Sequence, residues 1–388
     1  MAVTDIPLSD LVPKAGEAVD WRLVEASPIG GAILKLAEVP QPKDFHAEGD
    51  VLTHTRLVTE QIVADGEYAE ADGQDRLILF LGALLHDIGK LRTTREEFGR
   101  ITSPHHSGVG AVMARELLWS IGFCGDDVKR NIRESVCSLI KYHSFPPFII
   151  HDNKPEQRLT AAAAMGELAP GFSLRKLICL ERADINGRKS FDTEDALCRV
   201  EYCAELAKEL GILDTPYPFS SNYAMRAYFK GRTRLPSEDI YPDSFGTVIL
   251  MSGLPGTGKD TWIRSNCPDM PVISLDAIRE RMGVKPTDNQ GTVVAEGHAE
   301  ARRYLRRGIP FVWNATSITE EQRSKQICLF EQYGASVRTV FLETSLDEEL
   351  RRNSSREREV PPEVIRRMLS KLQLPERKES ELVEWYTV

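Results

Sequence analysis

The sequence lacks long hydrophobic runs and an excess of positive charge. Its longest apolar stretch, Leu77–Leu85, is about half as long as a membrane-spanning helix, and its first residues do not form the basic region and apolar core of a signal peptide. We therefore expect no membrane association. The formal net charge is −9, and basic and acidic side chains are equal in number from Thr247 onward. This balance does not predict a broad nucleic-acid-binding surface, although two arginine clusters suit a short run of phosphates. They are Arg302, Arg303, Arg306 and Arg307, and Arg351, Arg352, Arg356 and Arg358.

Paired cysteines are also missing. The seven cysteines are odd in number, scattered along the chain and never spaced as CxxC, so neither a disulfide framework nor a cysteine zinc site is predicted. We expect reduced thiols and a cytoplasmic location. With 41% apolar and 28% charged residues, the composition is that of a globular protein, and 388 residues exceed what one hydrophobic core usually serves. Two domains are therefore expected.

The two halves differ in their hydrophobic pattern. From about Val51 to Leu210 apolar residues recur at helical spacing, whereas Gly231–Gly246 combines prolines, glycines and charges without periodicity. Beyond it, short β-rich runs alternate with helical patterns, which predicts a parallel sheet covered by helices. We predict an all-α domain over 1–230, a linker over 231–246 and an α/β domain over 247–388. The expected strands are Val248–Met251, Val272–Ser274, Phe311–Trp313 and Val337–Leu342.

Histidines and aspartates follow one another through the N-terminal half in a recognisable order. Two adjacent side chains on a helix diverge by roughly 100°, so the His86–Asp87 pair cannot enclose a metal alone and needs partners from other helices. The series resembles the HD superfamily of metal-dependent phosphohydrolases. That resemblance implies one metal's ligand set and two further histidines of two-metal members. The first set is His54, His86, Asp87 and Asp184, and the second is His106 and His143.

Imidazole and carboxylate ligands together favour a transition metal over magnesium, so we expect one or two ions of Mn, Ni, Co, Cu or Zn. His105 is an alternative to His106, which we prefer because Gly110 matches the family's spacing. Lys90 is either a ligand of substrate phosphate or a solvated lysine at a helix end. His46 binds substrate or metal, or is structural.

A phosphate-binding loop opens the C-terminal half. The phrase GLPGTGKDT follows a predicted strand and precedes a predicted helix, which is the context such a loop requires. Backbone amides and the helix N-terminus would surround the phosphates, and Lys259 would neutralise the β and γ groups. Mg²⁺ with ATP or another nucleoside triphosphate is the expected ligand. The expected nucleotide-binding residues are Gly253, Gly256, Thr257, Gly258, Lys259, Asp260 and Thr261.

One position departs from the usual loop. The residue after the lysine, normally Ser or Thr, is Asp260, and Thr261 follows. Either Asp260 contacts the metal, directly or through water, or Thr261 contacts a phosphate, or both. No acidic second motif is evident, because the strand in FVWNAT ends at Asn314.

Two later segments carry candidate phosphoryl-transfer residues. Asp276 and Arg279 stand at i and i+3 on a predicted first helical turn, where the carboxylate can accept a proton from an attacking hydroxyl and the guanidinium can hold an acceptor phosphate. A helix cap beside a surface arginine is the alternative. The segment RRNSSREREVPPEVIRRM is interpreted as a helical lid with Arg352 and Arg356 as catalytic arginines, or else as a solvated charged helix.

In this order, these C-terminal features resemble the phage-type 5′-OH polynucleotide kinase family, and with the N-terminal module the chain resembles the bacterial HD-Pnk family of nucleic-acid end-healing enzymes. The GKDTW, DNQG and WNAT phrases share that resemblance, and Asn314 is assigned to substrate binding with Arg279, Lys90 and His46. The resemblance implies 5′ phosphorylation by the kinase and removal of 2′,3′-cyclic, 2′- or 3′-phosphates by the HD module. RNA or DNA ends, the nucleoside triphosphate and, functionally, an RNA ligase are the implied partners. One alternative is a nucleotide phosphohydrolase fused to a small-metabolite kinase. Another is a nucleotide-sensing protein in which one or both sites bind without turnover.

Overall fold

The computed structural model describes residues 6–42, 47–285, 288–355 and 359–388. Two compact units are formed by the chain, Met1–Phe123 with Val128–Tyr217, and Cys124–Asp127 with Pro218–Val388. We expected the first domain to extend to residue 230. The units divide earlier because the helix Asn222–Phe229 is bound within the second one, where Arg226 Nε lies 2.7 Å from Glu331 Oε1 and Arg377 is hydrogen-bonded to Asn222.

The N-terminal unit is helical, as predicted. One short antiparallel hairpin, which the sequence did not predict, interrupts it with strands β1 (Arg95–Glu97) and β2 (Arg100–Thr102). The helices are α1 (Trp21–Ala26), α2 (Gly30–Leu34), α3 (Val51–Ala64), α4 (Gly66–Glu70), α5 (Gly73–Leu85), α6 (Lys90–Thr93), α7 (His106–Ser120), α8 (Asp127–Tyr142), α9 (Pro155–Ala163), α10 (Leu174–Gly187) and α11 (Thr193–Glu209).

Helix α5 is the centre of this unit and packs against α3 and α10. Its residues Leu77–Leu85, the longest apolar run of the chain, are all buried. The two flanking helices begin at side-chain caps, since Asp50 accepts a hydrogen bond from the Thr53 amide and Ser173 from the Lys176 amide. Such caps satisfy amides that the first helical turn leaves unpaired. The apolar run is therefore a core helix, and the segment that follows it is held against the core.

The C-terminal unit is an α/β domain with a five-stranded, all-parallel sheet in the order β4-β5-β3-β6-β7. The expected fold class, an all-α domain followed by an α/β domain, is thus confirmed. In chain order its elements are α12 (Asn222–Phe229), β3 (Thr247–Ser252), α13 (Lys259–Asn266), β4 (Val272–Ser274), α14 (Leu275–Met282), α15 (Gly291–Leu305), β5 (Val312–Asn314), α16 (Glu320–Gln332), β6 (Ser336–Glu343), α17 (Leu346–Ser354), α18 (Pro362–Leu369) and β7 (Leu382–Thr387).

Helices cover both faces of this sheet, because successive strand residues point to opposite faces. Val248 and Leu250 of β3 pack in one cluster with residues of α14, α15 and α16. Ile249 and Met251 pack in the other with Trp262 of α13. Four strands were predicted within a residue or two of their observed bounds. Strand β7 was not predicted. It lies at the edge of the sheet, and only Val383 and Trp385 of its six residues are buried.

No helix in the described part of the chain has the length and apolar character to span a membrane.

Candidate functional site

Five separate elements bring the six predicted metal ligands together in the N-terminal unit. His54 lies on the first turns of α3, His106 begins α7, and Asp184 lies on α10. The other three directly follow helices: His86 caps α5 and precedes Asp87, and His143 follows α8. His54 Nε2 lies 2.8 Å from Asp184 Oδ1 and 3.4 Å from His86 Nε2. His106 Nε2 lies 3.2 Å from His143 Nε2.

Each imidazole is oriented from behind by a hydrogen-bond acceptor. His86 Nδ1 lies 2.8 Å from the Ala83 carbonyl, His106 Nδ1 3.0 Å from that of Ser103 and His143 Nδ1 2.8 Å from that of Ile140. For His54 the acceptor is Glu48, whose Oε1 lies 3.2 Å from Nδ1. An acceptor at Nδ1 places the proton there and leaves the Nε2 lone pair for a metal ion. The donor set of this cluster therefore fits a transition-metal centre.

Asp87 lies between two halves of the cluster. Its Oδ2 is 3.3 Å from His86 Nε2 and 3.7 Å from His54 Nε2, whereas its Oδ1 is 3.5 Å from His106 Nε2 and 4.0 Å from His143 Nε2. Two groups with metal-binding geometry result, one of His54, His86 and Asp87 and one of Asp87, His106 and His143. Asp184 adjoins the first through His54. A carboxylate shared in this way suits either one ion or a bridged pair.

Burial and neighbouring charges shift the pKa values of two histidines in opposite directions. Burial lowers the pKa of His54, but hydrogen bonds to Asp184 and Glu48 outweigh it and raise that pKa to about 9. Burial lowers the pKa of His143 to about 3, with help from His106 and His86. Burial also raises the pKa of Glu181, one turn before Asp184, well above its usual range. The neutral His143 is ready to bind a cation, whereas His54 must exchange its proton for one.

The other predicted residues of this site are placed unequally. Lys90 Nζ lies 2.7 Å from Asp87 Oδ2 and 2.8 Å from Gln41 Oε1, so it faces the cluster rather than solvent. His105 is exposed and precedes α7 in a left-handed conformation, while His106 joins the cluster. Gly89 allows this approach, because a Cβ there would lie 2.0 Å from the His106 carbonyl oxygen. His46 lies outside the described residues.

The phosphate-binding loop joins β3 to α13 at the carboxyl end of the sheet. Gly253 has φ +138° and Gly258 has φ +81°, and a Cβ on Gly253 would lie 2.5 Å from the Leu342 carbonyl oxygen. Only glycine fits this turn without strain. Lys259 Nζ is 2.9 Å from the Gly253 carbonyl oxygen and 2.7 Å from that of Leu254, and Thr257 Oγ1 donates to Leu254 at 2.9 Å. The lysine thus lies inside the loop that it would share with phosphate.

Asp260, the unusual residue of this loop, is hydrogen-bonded to Asn314. Asn314 Nδ2, at the end of β5, donates to Asp260 Oδ1 over 2.7 Å. Strand β5 adjoins β3, and Ser274 of β4 pairs with Asn314. The loop, Asn314 and the start of α14 therefore meet at one edge of the sheet, where ligands of open α/β sheets bind. Thr261 accepts a hydrogen bond from Arg264 at 3.1 Å.

Asp276 and Arg279 lie side by side at that edge. Asp276 is in the first turn of α14 with its side chain 72% exposed, and Arg279 Nη1 lies 2.6 Å from its Oδ1. Arg279 Nε also donates to Gln290 at 2.8 Å. The capping oxygen of this helix comes from Ser274, which accepts from the Ala277 amide. Asp276 is therefore not the helix cap that the alternative interpretation required.

One of the two predicted catalytic arginines approaches the loop. Arg352 lies on α17, where its Nε donates to Glu348 Oε1 at 2.6 Å and its Nη1 would be 3.7 Å from a Cβ on Gly258. Arg356 lies outside the described residues. Sequence reasoning missed Glu349, whose fully buried carboxylate has no hydrogen-bond partner among the described residues and whose carbonyl adjoins Gly256. Burial raises the pKa of Glu349 to about 8, although Lys259 opposes it. The charged segment LDEELRR gives no sign in the sequence that one of its glutamates is buried.

Comparison with known proteins identifies one domain in each unit. The HD domain family matches residues 51–179, and the AAA domain family matches residues 248–375. Among solved structures, a gluconokinase from Sinorhizobium meliloti 1021 is similar at 23% identity over 34% of this chain and 77% of that chain, with a TM-score of 0.26. The chain therefore contains an HD domain over residues 51–179, followed over residues 248–375 by an AAA domain that carries the phosphate-binding loop.

Proposed function

We propose that the protein is a bifunctional enzyme that heals nucleic-acid ends, of the bacterial HD-Pnk type. Its C-terminal unit would transfer the γ-phosphate of ATP or another nucleoside triphosphate to a 5′-OH end. Its N-terminal unit would remove 2′,3′-cyclic, 2′- or 3′-phosphates. The observation that carries the proposal is the exposed Asp276–Arg279 pair at the same sheet edge as the phosphate-binding loop, in a chain that also contains the HD cluster.

In the kinase unit the roles follow from position and charge. Lys259 would leave the loop carbonyls and bind the β- and γ-phosphates, and Arg352 would neutralise charge that develops during transfer. Asp276 would accept the proton of the attacking 5′-hydroxyl as its oxygen bonds to the γ-phosphorus and the nucleoside diphosphate departs. Arg279 and Asn314 would hold the acceptor strand, and Asp260 would orient Mg²⁺ directly or through water. An acceptor with a phosphate next to its hydroxyl suits the half-buried guanidinium of Arg279.

In the HD unit the chain's own residues bind and orient the substrate. His54, His86, Asp87 and Asp184, with His106 and His143 around a second position, would hold one or two transition-metal ions. Such ions lower the pKa of a bound water and polarise a phosphoryl oxygen. Lys90 would place its ammonium group, now beside Asp87, against the scissile phosphate. His86, His106 and His143 stay fixed by their backbone partners throughout.

The products of these two reactions, a 3′-OH and a 5′-phosphate, are the ends that an RNA ligase joins. We therefore infer RNA or DNA ends as substrates and a ligase as the functional partner, in the cytoplasm.

The decisive experiment is transfer of label from γ-labelled ATP, with Mg²⁺, to a 5′-OH RNA oligonucleotide. A mononucleoside and a 5′-phosphorylated oligonucleotide are the acceptor controls. Label on the 5′-OH oligonucleotide alone supports the proposal. Label on the nucleoside indicates a metabolite kinase, and no label on any oligonucleotide with folded protein contradicts the kinase assignment.

A further inference from the structure

A cleft opens beside the HD cluster and extends past it. It has a volume of about 180 Å³, and its walls include Asp87, Lys90, Glu181 and Asp184. The cleft continues to Arg188 and Asp192 after α10, to Arg199 on α11 and to Phe148 in the short helical segment Pro146–His151.

Two arginines line the part of the cleft beyond the cluster. The buried Nε of Arg188 has no hydrogen-bond partner among the described residues. Burial lowers the pKa of Arg188, but the nearby carboxylates of Asp184 and Glu181 outweigh it and raise that pKa. Arg199 also has a buried Nε without a hydrogen-bond partner in the described part of the chain, while its Nη2 lies 3.4 Å from Asp195 and 4.0 Å from Asp192. A buried donor that is left unpaired costs free energy. An anionic ligand in the cleft would reduce that cost.

An aromatic face completes the surroundings. The side chain of Phe148 lines the cleft and is 59% exposed, although large apolar side chains are usually buried. Nucleobases stack on such exposed rings, whereas inorganic phosphate and simple phosphomonoesters make no use of them. The wall therefore offers guanidinium groups and a ring beside the cluster, which is the chemistry of a nucleotide site.

We propose that this cleft binds the nucleotide that bears the terminal phosphate, with Arg188 and Arg199 on its 5′-side phosphate and Phe148 against a base. The scissile 3′-phosphate would then lie at the HD cluster, and the adjoining phosphodiester would lie at the two arginines. The substrate class of the HD unit would be one with two phosphate groups flanking a nucleoside. This inference rests on the proposed 3′-end function and specifies how such an end is recognised.

The first test is binding, measured calorimetrically after chelation of metal so that turnover does not interfere. Adenosine 3′,5′-bisphosphate is compared with adenosine 3′-monophosphate and inorganic phosphate. We expect the second phosphate to raise affinity at least about tenfold, since hydrogen bonds to charged groups are strong. Arg188→Gln with Arg199→Gln should remove this gain, and Phe148→Ala should weaken both nucleotides but not inorganic phosphate. Arg182→Gln is the matched control, because Arg182 is on α10 but pairs with Glu201 at 2.6 Å.

The second test is selectivity. The ratio of kcat/KM for a 3′-phosphorylated dinucleotide to that for phenyl phosphate should fall at least about tenfold in the Arg188/Arg199 double variant and stay unchanged in Arg182→Gln. Equal affinity of the wild type for bisphosphate and monophosphate, or loss of the gain in Arg182→Gln as well, would overturn the proposal. A bisphosphate preference that depends on Arg188 without 3′-phosphatase activity supports the subsite and contradicts the proposed 3′-end function. 3′-Phosphatase activity without a preference for the bisphosphate supports the proposed 3′-end function and contradicts the subsite.

Discussion

The two candidate sites of this chain differ in how far they are assembled before substrate arrives. In the HD unit, three imidazoles are fixed by backbone carbonyls and one by Glu48, and Asp87 is 2% exposed at their centre. In the C-terminal unit, Lys259 is hydrogen-bonded to its own loop, and Asp276, whose side chain is 72% exposed, is paired with Arg279. The side chains of the HD cluster are buried and fixed by hydrogen bonds to neighbouring groups, whereas the charged side chains of the second site form hydrogen bonds and ion pairs with one another and with their own loop.

This difference reflects the chemistry that each site would perform. Metal ligands must converge within fixed distances, so folding orders their side chains before a metal ion or substrate binds. A kinase must admit two substrates and release two products, so its charged groups need alternative partners while the site is empty. Lys259, Asp276 and Arg352 each have such a partner. Mutations should therefore affect the HD site through geometry and the kinase site through charge.

The largest effect should come from separating the two activities. Asp87→Ala removes the carboxylate shared by both halves of the HD cluster, and Lys259→Ala removes the cation of the phosphate-binding loop. Each should lower its own activity on the order of 10⁴-fold and change the other less than about twofold, as measured by 3′-phosphate release and 5′-label transfer. Retained activity of the other unit shows that each variant is folded. Loss of both activities in either folded variant would show that the units do not act independently.

The sequence predicted the HD cluster better than the kinase site. The order of histidines and aspartates along the chain carries the resemblance to the HD superfamily, and the six residues predicted from it as ligands lie together in the structure. The hydrogen bond between Asp260, in the first turn of α13, and Asn314, at the end of β5, was not predicted, because a contact between segments distant in sequence has no local signal. Glu349 was missed because burial is decided by tertiary packing. The boundary at Tyr217 was missed because α12 is attached to the second unit by side-chain contacts rather than by sequence pattern.

The buried acid of the kinase unit should make that unit's stability depend on pH. The pKa of Glu349 is about 8 in the folded state against 4.5 for an ordinary glutamate. A raised acid pKa means that the folded state keeps a proton that the unfolded chain releases, so stability is full below about pH 4.5 and falls until about pH 8. The loss is at most about 5 kcal/mol. Glu349→Gln should remove it, so that the variant exceeds the wild type in stability most at pH 9.

Urea unfolding at pH 6 and pH 9 measures this difference, with hydrogen exchange of β3 and β6 identifying the kinase unit. Glu363→Gln is the control, since that glutamate is exposed on α18. Parallel pH dependence of the wild type and Glu349→Gln would mean that the acid is charged at neutral pH and paired in solution.

The open acceptor site should respond in kcat rather than in stability. Asp276→Asn keeps the shape of the side chain but cannot take a proton, so kcat for 5′ phosphorylation should fall about 10²- to 10³-fold with little change in KM for the oligonucleotide. Arg279→Gln should instead raise that KM. Asp347→Asn, an exposed acid in the first turn of α17, is the matched control. A pure KM effect in Asp276→Asn would assign the carboxylate to binding alone.

The smallest effect should come from the one imidazole that a side chain, not a carbonyl, holds in place. The Lys189 amide donates a hydrogen bond to Glu48 Oε2 at 3.0 Å, and Glu48→Gln keeps an oxygen that can accept it. The substitution removes the negative charge beside His54. A less basic His54 should weaken metal binding about 10- to 100-fold, measured by competition with a chelator. Glu25→Gln, whose glutamate pairs with Arg56 elsewhere on α3, should leave it unchanged. Because the histidines held by backbone carbonyls are not altered, only the ion nearest His54 should bind more weakly. Equal weakening at both metal positions would instead show that the shared carboxylate of Asp87 couples the two positions.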